Sequence, residues 1–401
     1  MKTPVLASSR LCTGCGACAA ACKFGALELQ RLSDGHFYPV VNTESCVGCL
    51  QCERTCPVLS GYEYGSNSMS SSPYKAWNKE DNQRLKSSSG GVFYALASQI
   101  VREGGYVSGA IIDGLEIKHI VSNKEDDLTL MQGSKYLQSS TTEAFKRILQ
   151  LLPEHRVLFS GTGCQVAGLI CLVKKKNPKL LDNLCCVDLV CDGVPSYRLL
   201  EKTVESLHSK KVSLISFRNK AKGWSRTPKE LTVSIDGQEK NLGSSNLMIK
   251  GFNKALTSRY SCYDCKYAFT DRQSDITIAD FWGLENESED NLFKGVSMVI
   301  AHSGKGRQML AKSNIQFVPV EWSMAIGKNF RLYQGEKYGY TDTWLRRNLN
   351  FMFDHFSYRT LMRIYAVSPK SGFDILGRLV GNWYKKKNEE MKIQISKNKI
   401  I

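Results

Sequence analysis

Eight cysteines in two identical runs constrain this chain more than any other feature. Cys12, Cys15, Cys18 and Cys22 follow the spacing C-x2-C-x2-C-x3-C, and Cys46, Cys49, Cys52 and Cys56 repeat it with Pro57 after the last. Spacing this tight lets three thiolates wrap one iron–sulfur cube, while the fourth cysteine of each run, displaced by a short helix, reaches the other cube. Cys12, Cys15, Cys18 and Cys56 are thereby assigned to one 4Fe-4S cluster, and Cys46, Cys49, Cys52 and Cys22 to a second. Gly14, Gly16 and Gly48 stand between ligands, where the backbone must crowd the sulfides and point N–H groups at them. Zinc is the competing metal, but structural zinc sites pair two C-x2-C hooks across a longer gap, which two quadruple runs do not resemble.

The spacing is that of a bacterial two-cluster ferredoxin module, with Lys23 where the first run would ordinarily carry proline. A chain of 401 residues leaves room beyond such a module for one or two larger domains. The module is expected over residues 1–60. Residues 61–73, GYEYGSNSMSSSP, read as a Ser- and Gly-rich linker. Ten of the fifteen cysteines fall in C-x2-C-type groups, which favours metal binding in a reducing compartment over disulfides. No apolar run reaches about eighteen residues, and the start MKTPVLASSR lacks the apolar segment of an export signal, so a cytoplasmic location is expected. The formal charge of +16 counts cysteines as neutral; three thiolate-bound clusters would lower it to roughly +10. Part of the excess belongs to the C-terminal end, where Phe351 to Ile401 hold ten Lys or Arg against four Asp or Glu.

Beyond the linker, GYVSGAII (Gly105 to Ile112), RVLFS (Arg156 to Ser160), VDLVC (Val187 to Cys191), VSLISF (Val212 to Phe217), LTVSI (Leu231 to Ile235), DITIAD (Asp275 to Asp280) and VSMVIA (Val296 to Ala301) predict strands. GVFYALASQIVREG, TEAFKRILQLL, CQVAGLICLVKKK and SYRLLEKTVESL predict helices between them. The fold class is therefore α+β: a small two-cluster module followed, over residues 74–345, by a mixed sheet flanked by helices. Residues 346–401 form a basic extension in which GFDILGRLVGNWYKKK is an amphipathic helix, packed on the parent domain or touching a membrane surface or a partner subunit.

A second group of cysteines is scattered: Cys164 in GTGCQ, Cys191 in VDLVCDGVPS, and Cys262 with Cys265 in SCYDCKYAF. Cys164 and Cys191 follow predicted strands, and loops at the carboxyl ends of strands converge on ligands. Spacing alone leaves two readings open: a third 4Fe-4S cluster, or a free Cys164 with a zinc hook at Cys262 and Cys265. Cys171, Cys185 and Cys186 lie in apolar contexts and are expected as buried packing residues. His119, His155 and His208 sit in no recognisable constellation.

With these residues in view, the chain resembles the family of coenzyme F420 (deazaflavin) hydrogenase and dehydrogenase beta subunits, which also includes a chlorophyll-derivative reductase. The resemblance spans Cys12 to Gly306. It rests on SSSGG (Ser87 to Gly91), GSKYLQS (Gly133 to Ser139), GTGCQVAGL (Gly161 to Leu169), VDLVCDGVPS (Val187 to Ser196), FRNKAKGW (Phe217 to Trp224), CYDCKYA (Cys262 to Ala268), SDITIADFWG (Ser274 to Gly283) and KGVSMVIAHSGKG (Lys294 to Gly306). It implies FAD beside a third cluster held by Cys164, Cys191, Cys262 and Cys265, with the N-terminal clusters relaying electrons to a redox partner protein or subunit. Gly163 stands where the family usually has proline, and Asp192 where it has histidine.

Flavin contacts are expected from those motifs. Ser88, Ser89, Gly90 and Gly91 precede an amphipathic helix and offer small residues, hydroxyls and free N–H groups to a diphosphate. Gly161, Thr162 and Gln165 offer a second such loop, and Tyr136 and Ser139 belong to the same set. Lys135 and Lys220 either neutralise phosphates and the reduced ring or are solvated surface lysines. Asp280 either orients a ligand or caps a turn. No catalytic residue is assigned, and the small-molecule or cofactor substrate stays open.

The sequence thus reads as a flavin-dependent iron–sulfur oxidoreductase coupling two-electron chemistry to single-electron transfer. The alternative is a non-catalytic electron-transfer subunit of a larger redox complex. A nucleic-acid-binding role is disfavoured, because no recognition motif accompanies the basic tail.

Overall fold

Short β-branched runs cannot bury themselves as helices, and in the computed structural model they pair side by side. It describes residues 3–62, 71–226, 229–255, 257–284, 286–335 and 348–366. The strands in chain order are β1 (Leu27–Arg31), β2 (Phe37–Val41), β3 (Ser72–Asn78), β4 (Tyr106–Asp113), β5 (Glu116–Ser122), β6 (Ser139–Ser140) and β7 (Val157–Thr162). Then follow β8 (Leu184–Leu189), β9 (Val212–Arg218), β10 (Lys229–Ile235), β11 (Gln238–Asn241), β12 (Ile276–Asp280), β13 (Ser297–Ala301) and β14 (Ile315–Pro319). Among the described residues nine strands make one sheet in the order β14-β3-β13-β12-β8-β7-β4-β5-β6, and β11-β10-β9 make a second.

The centre of the large sheet, β12, β8, β7 and β4, is parallel, and its outer pairings β14/β3, β3/β13, β13/β12 and β4/β5 are antiparallel. This is the mixed α/β layer predicted from the motif order. Leu158, Phe159, Val187 and Ile276 are fully buried in its middle strands, each contributing roughly 1.5–3 kcal/mol by burial. One face is covered by the helix Val92–Arg102, the other by Thr142–Leu151 and Gly163–Lys176.

The second sheet packs Leu214, Phe217, Leu231 and Val233 against the helices Arg198–Glu205 and Leu247–Lys254. Its last β9 residue, Arg218, pairs with Asp280, the last residue of β12, at 2.7 Å. The two sheets therefore meet at an ion pair formed by strand ends.

The first sixty residues contribute the β1/β2 hairpin and two short helices, Ala17–Ala21 and Gln51–Thr55. Cys15, Ala17 and Ala20 share one apolar cluster with Phe145, Val166 and Leu169, so the cysteine module is built into the flank of the large domain. β3 begins at Ser72, within the stretch read as linker. Residues 63–70 and the expected amphipathic helix over 372–387 lie outside the described residues. Among the described residues no helix is long and apolar enough to cross a membrane.

Candidate functional site

The crossed pairing expected for the two runs is the one the backbone creates. Cys12, Cys15, Cys18 and Cys56 line one small cavity, and Cys22, Cys46, Cys49 and Cys52 line another. The short helices carry each chain from its third cysteine to the fourth, Cys22 and Cys56 serving as their C-caps. Gly16, at φ 84°, starts the first helix directly after Cys15. Burial pushes the Cys15 thiol up to about 12 and raises Cys18, Cys52 and Cys56 as well. Thiols so disfavoured as thiolates ionise only if a cation takes the protons' place, which fits ligation to iron. Cys49 is exposed, so the second set borders solvent.

A third set assembles at the ends of β7 and β8. Thr162 and Leu189 are directly paired there, and Cys164 and Cys191 each follow two residues later, so the two thiols leave the sheet edge together. β8 stops at Leu189, two residues before the expected end, which places Cys191 in the following loop. Cys262 and Cys265 approach from the turn at Tyr260–Tyr263. All four thiols act on one another electrostatically: Cys191, Cys262 and Cys265 each raise Cys164, though its burial raises it more. Cys191 stands at about 12, raised first by burial and then by Cys262. Among the described residues no three His, Cys, Asp or Glu side chains close on a single metal ion; the thiols surround a space instead. The segment after them closes the set, with the Cys265 N–H donating to the Gly335 carbonyl at 3.0 Å.

Against the third set lies a cavity of ≈ 620 Å3, whose wall includes Cys191, Ser88, Ser89, Gly91, Lys135, Tyr136, Ser139, Gly161, Thr162, Gln165 and Asp280. Ten of the twelve residues expected at a flavin are therefore on one surface; Gly90 and Lys220 are not. The Gly90 N–H donates to Ser297 Oγ at 3.0 Å, turning that residue toward the sheet. Lys220 Nζ donates to the carbonyls of Arg84 and Ser89, both at 2.8 Å, so it braces the serine loop from behind. Burial lowers Lys220 to about 7. Lys135 is lowered to about 7 for the same reason, and its Nζ donates to the carbonyls of Leu130, Met131 and Gln132. Neither lysine is a solvated surface group.

The serine loop offers backbone more than hydroxyls. Ser87 and Ser89 donate to the carbonyls of Gln83 and Val296, whereas Ser88 Oγ accepts from the Ser134 N–H and keeps its own proton. Gly91, at φ 79°, starts the helix Val92–Arg102 with no side-chain cap, so the first amides of that helix are available at the wall. The second loop differs. Thr162 and Gln165 close a capping box on the helix Gly163–Lys176, and Gln165 Nε2 donates to Ser139 Oγ at 2.9 Å. That loop satisfies its own helix end and presents Cys164 rather than a phosphate cradle. Asp280 accepts from Arg218 Nη1 at 2.7 Å and from Trp224 Nε1 at 2.8 Å, so it orders this wall. Trp224 stacks on Trp282 with centroids 5.2 Å apart.

Sequence reasoning passed over four residues of this region. His119 lines the cavity, stacked on Phe159, with burial lowering it to about 4. Arg218 and Arg331 also lie on the wall. Arg259 is 0% exposed and donates to the carbonyls of Cys12 and Phe37 and to Gln138 Oε1. Only Arg218 lay within a recognised motif.

The first cysteine set is bolted to the third. Gln138 Nε2 donates to the Gly14 carbonyl and Thr141 Oγ1 to the Cys15 carbonyl, while Ser261 Oγ, beside Cys262, donates to the Cys12 carbonyl at 3.1 Å. Along the helix Gly163–Lys176, Cys164 faces the third set and Gly168, one turn on, touches Cys15.

A two-cluster iron–sulfur module joined to a mixed α/β domain with a cavity at its strand ends is the class that fold and site define. Residues 11–59 match the 4Fe-4S dicluster domain, and residues 154–319 match the family described as the C terminus of the coenzyme F420 hydrogenase/dehydrogenase beta subunit. The chain thus carries both domains, in agreement with the resemblance read from its motifs. Among curated proteins it is 22% identical over 190 residues to the F-type subunit of the F(420)H(2) dehydrogenase of Methanosarcina mazei, covering 44% of this chain and 54% of that one. It is 35% identical over 68 residues to an uncharacterized polyferredoxin-like protein of Methanocaldococcus jannaschii, covering 15% and 40%. The chain therefore spans about half or less of these relatives' length. A chain of the F420-reducing [NiFe] hydrogenase complex from Methanosarcina barkeri matches with TM-score 0.43 and 18% identity, over 65% of this chain and 90% of that one.

Proposed function

We propose that this chain is a flavin-dependent iron–sulfur oxidoreductase subunit. A two-electron donor or acceptor meets FAD in the ≈ 620 Å3 cavity, and electrons pass one at a time through three 4Fe-4S sites to a partner protein. The observation that carries this reading is the serial order of the sites. Cys191 belongs both to the cavity wall and to the third cysteine set, and Gly168 brings that set's helix against Cys15 of the first set. One helical turn, about 5.4 Å of rise, separates Cys164 from Gly168. The exposed Cys49 of the second set ends the series at the surface.

The chain's own residues divide the work. The uncapped amides after Gly91 and the hydroxyl of Ser88 bind an anionic group such as a diphosphate. The Trp224–Trp282 stack and the Arg218–Asp280 pair hold the opposite wall rigid. Bound FAD supplies the exchange between two-electron and one-electron chemistry. Cys164, Cys191, Cys262 and Cys265 hold the third cluster, and the two N-terminal sets hold the others. The names of the relatives make a reduced deazaflavin the first electron donor to try.

Anaerobically purified protein is expected to contain about twelve irons per chain and a flavin absorbance that dithionite bleaches. About eight irons with no flavin would overturn the reading.

A further inference from the structure

Two buried arginines near the third cysteine set are met by carboxylates, Arg218 by Asp280 at 2.7 Å and Arg272 by Asp188 at 2.9 Å. Arg331 is not. It is 3% exposed, and its guanidinium donates only to carbonyls: Cys191 at 3.4 Å, Cys262 at 3.2 Å, Gln334 at 3.1 Å and Gly335 at 2.9 Å. No carboxylate lies within ion-pair distance of it among the described residues. Two of those carbonyls belong to cysteines of the set, and a third, that of Gly335, also accepts the Cys265 N–H. One full positive charge is thus fixed against three of the four cysteines, in a place from which water is excluded.

Carbonyl dipoles solvate a guanidinium without cancelling its charge, and burial removes the screening that water would supply. A fold gains little stability from a lone buried cation, because desolvating it is costly unless an anion is nearby. An iron–sulfur cluster with four thiolates is that anion: it carries about -2 when oxidised and one more negative charge when reduced. We propose that Arg331 is a positioning residue for electron flow, whose charge holds the reduced state of the third site at a higher potential than its cysteines alone would give. The inference rests on the third-cluster reading above. One electron enters or leaves the site, and no bond to Arg331 forms or breaks. The effect is directional, because a third site of raised potential draws electrons out of the cavity before they pass toward Cys15.

The test uses the full chain, purified anaerobically as wild type, Arg331→Met and Arg331→Lys, with iron quantified and the clusters titrated by EPR. The third signal is identified as the one lost in Cys262→Ser. In Arg331→Met, the ratio of reduced to oxidised third cluster at the wild-type midpoint should fall about tenfold, a shift of about 59 mV for a one-electron couple. Arg331→Lys, which keeps the charge and loses the fork, should keep the wild-type ratio, and the two N-terminal clusters should be unmoved in both. An unchanged third midpoint in an iron-replete Arg331→Met would overturn the proposal. So would equal shifts in Met and Lys, which would mark Arg331 as a structural staple. If the Met variant loses its third cluster, the Lys midpoint decides alone: unchanged supports the role of charge, shifted refutes it. Wild-type protein with about eight irons would instead remove the third cluster itself, an outcome distinct from either.

Discussion

Gly168 and Cys15 meet with no space between them: a Cβ on Gly168 would stand 2.7 Å from Cys15 Sγ. The contact joins a helix that begins with the third cysteine set to the centre of the first. Replacing Gly168 with Ala should force the two apart, at a cost of about 1–3 kcal/mol for overpacking. Because the displaced atom is a thiol of the first set, the variant is expected to lose about four irons per chain and to melt earlier. Iron quantification beside thermal unfolding checks this. A Gly168→Ala protein with full iron would show that the contact is slack.

Arg259 makes the other connection. Its Nη1 donates to the Cys12 carbonyl at 3.0 Å, its Nη2 to Gln138 Oε1 at 2.8 Å, and its guanidinium lies 4.4 Å from the Tyr38 ring centroid. Truncation to Met would leave buried acceptors unsatisfied, and hydrogen bonds to charged groups are worth roughly 1.5–3 kcal/mol each. Arg259→Met should therefore lose about 3 kcal/mol or more and loosen the Cys12 loop while leaving Cys164 and its partners in place. Stopped-flow reduction from the cavity side should show the N-terminal clusters filling more slowly and the third site at its normal rate.

Much of this was legible in the chain, for identifiable reasons. Ligand spacing is a local property, so the crossed pairing of the two runs could be read directly from Cys12 to Cys56. The parallel strands carried β-branched runs, as Val157–Thr162 and Ile276–Asp280 do. β3 was hidden because Pro73 near its start reads as a break, yet it lies inside the sheet, where Pro73 opposes Ile300. Lys220 was misplaced because a lysine's reach is set by tertiary packing; it turned away from the cavity toward the Ser89 carbonyl. The lone arginines were illegible, since Arg259 and Arg331 gain meaning only from carbonyls brought together from distant parts of the chain.

Asp280 decides whether the cavity wall stands. Its carboxylate is the counter-charge of Arg218, whose side chain is 4% exposed, and it also anchors Trp224. Breaking a buried pair by removing one partner typically costs about 3–5 kcal/mol, because the remaining charge is stranded. Asp280→Asn keeps an acceptor for the tryptophan but strands Arg218, so the expected outcome is a fall in stability of about 3 kcal/mol and loss of flavin on desalting. Iron content should stay at the wild-type level, which separates damage to the wall from damage to the clusters.

Acid should weaken this fold through two histidines. His119 and His302 are both held near 4 by burial. At His302 the hydrogen bonds explain why the neutral ring is kept: Thr277 Oγ1 donates to Asp188, so it accepts from His302 Nε2 at 2.7 Å, leaving Nδ1 to accept from Ser71 Oγ at 3.0 Å. A histidine with a folded value below its unfolded one takes up a proton first in the unfolded chain. Stability is therefore full above about pH 6.5, falls as pH drops toward 4, and changes no further below that. The loss is at most about 3 kcal/mol per histidine. Anaerobic thermal unfolding at pH 7 and pH 5 should show a clear drop in Tm for the wild type. His302→Gln, whose amide can donate to Thr277 and accept from Ser71 without titrating, should show a smaller one. Equal drops in the two proteins would mean that His302 is already charged in the folded state.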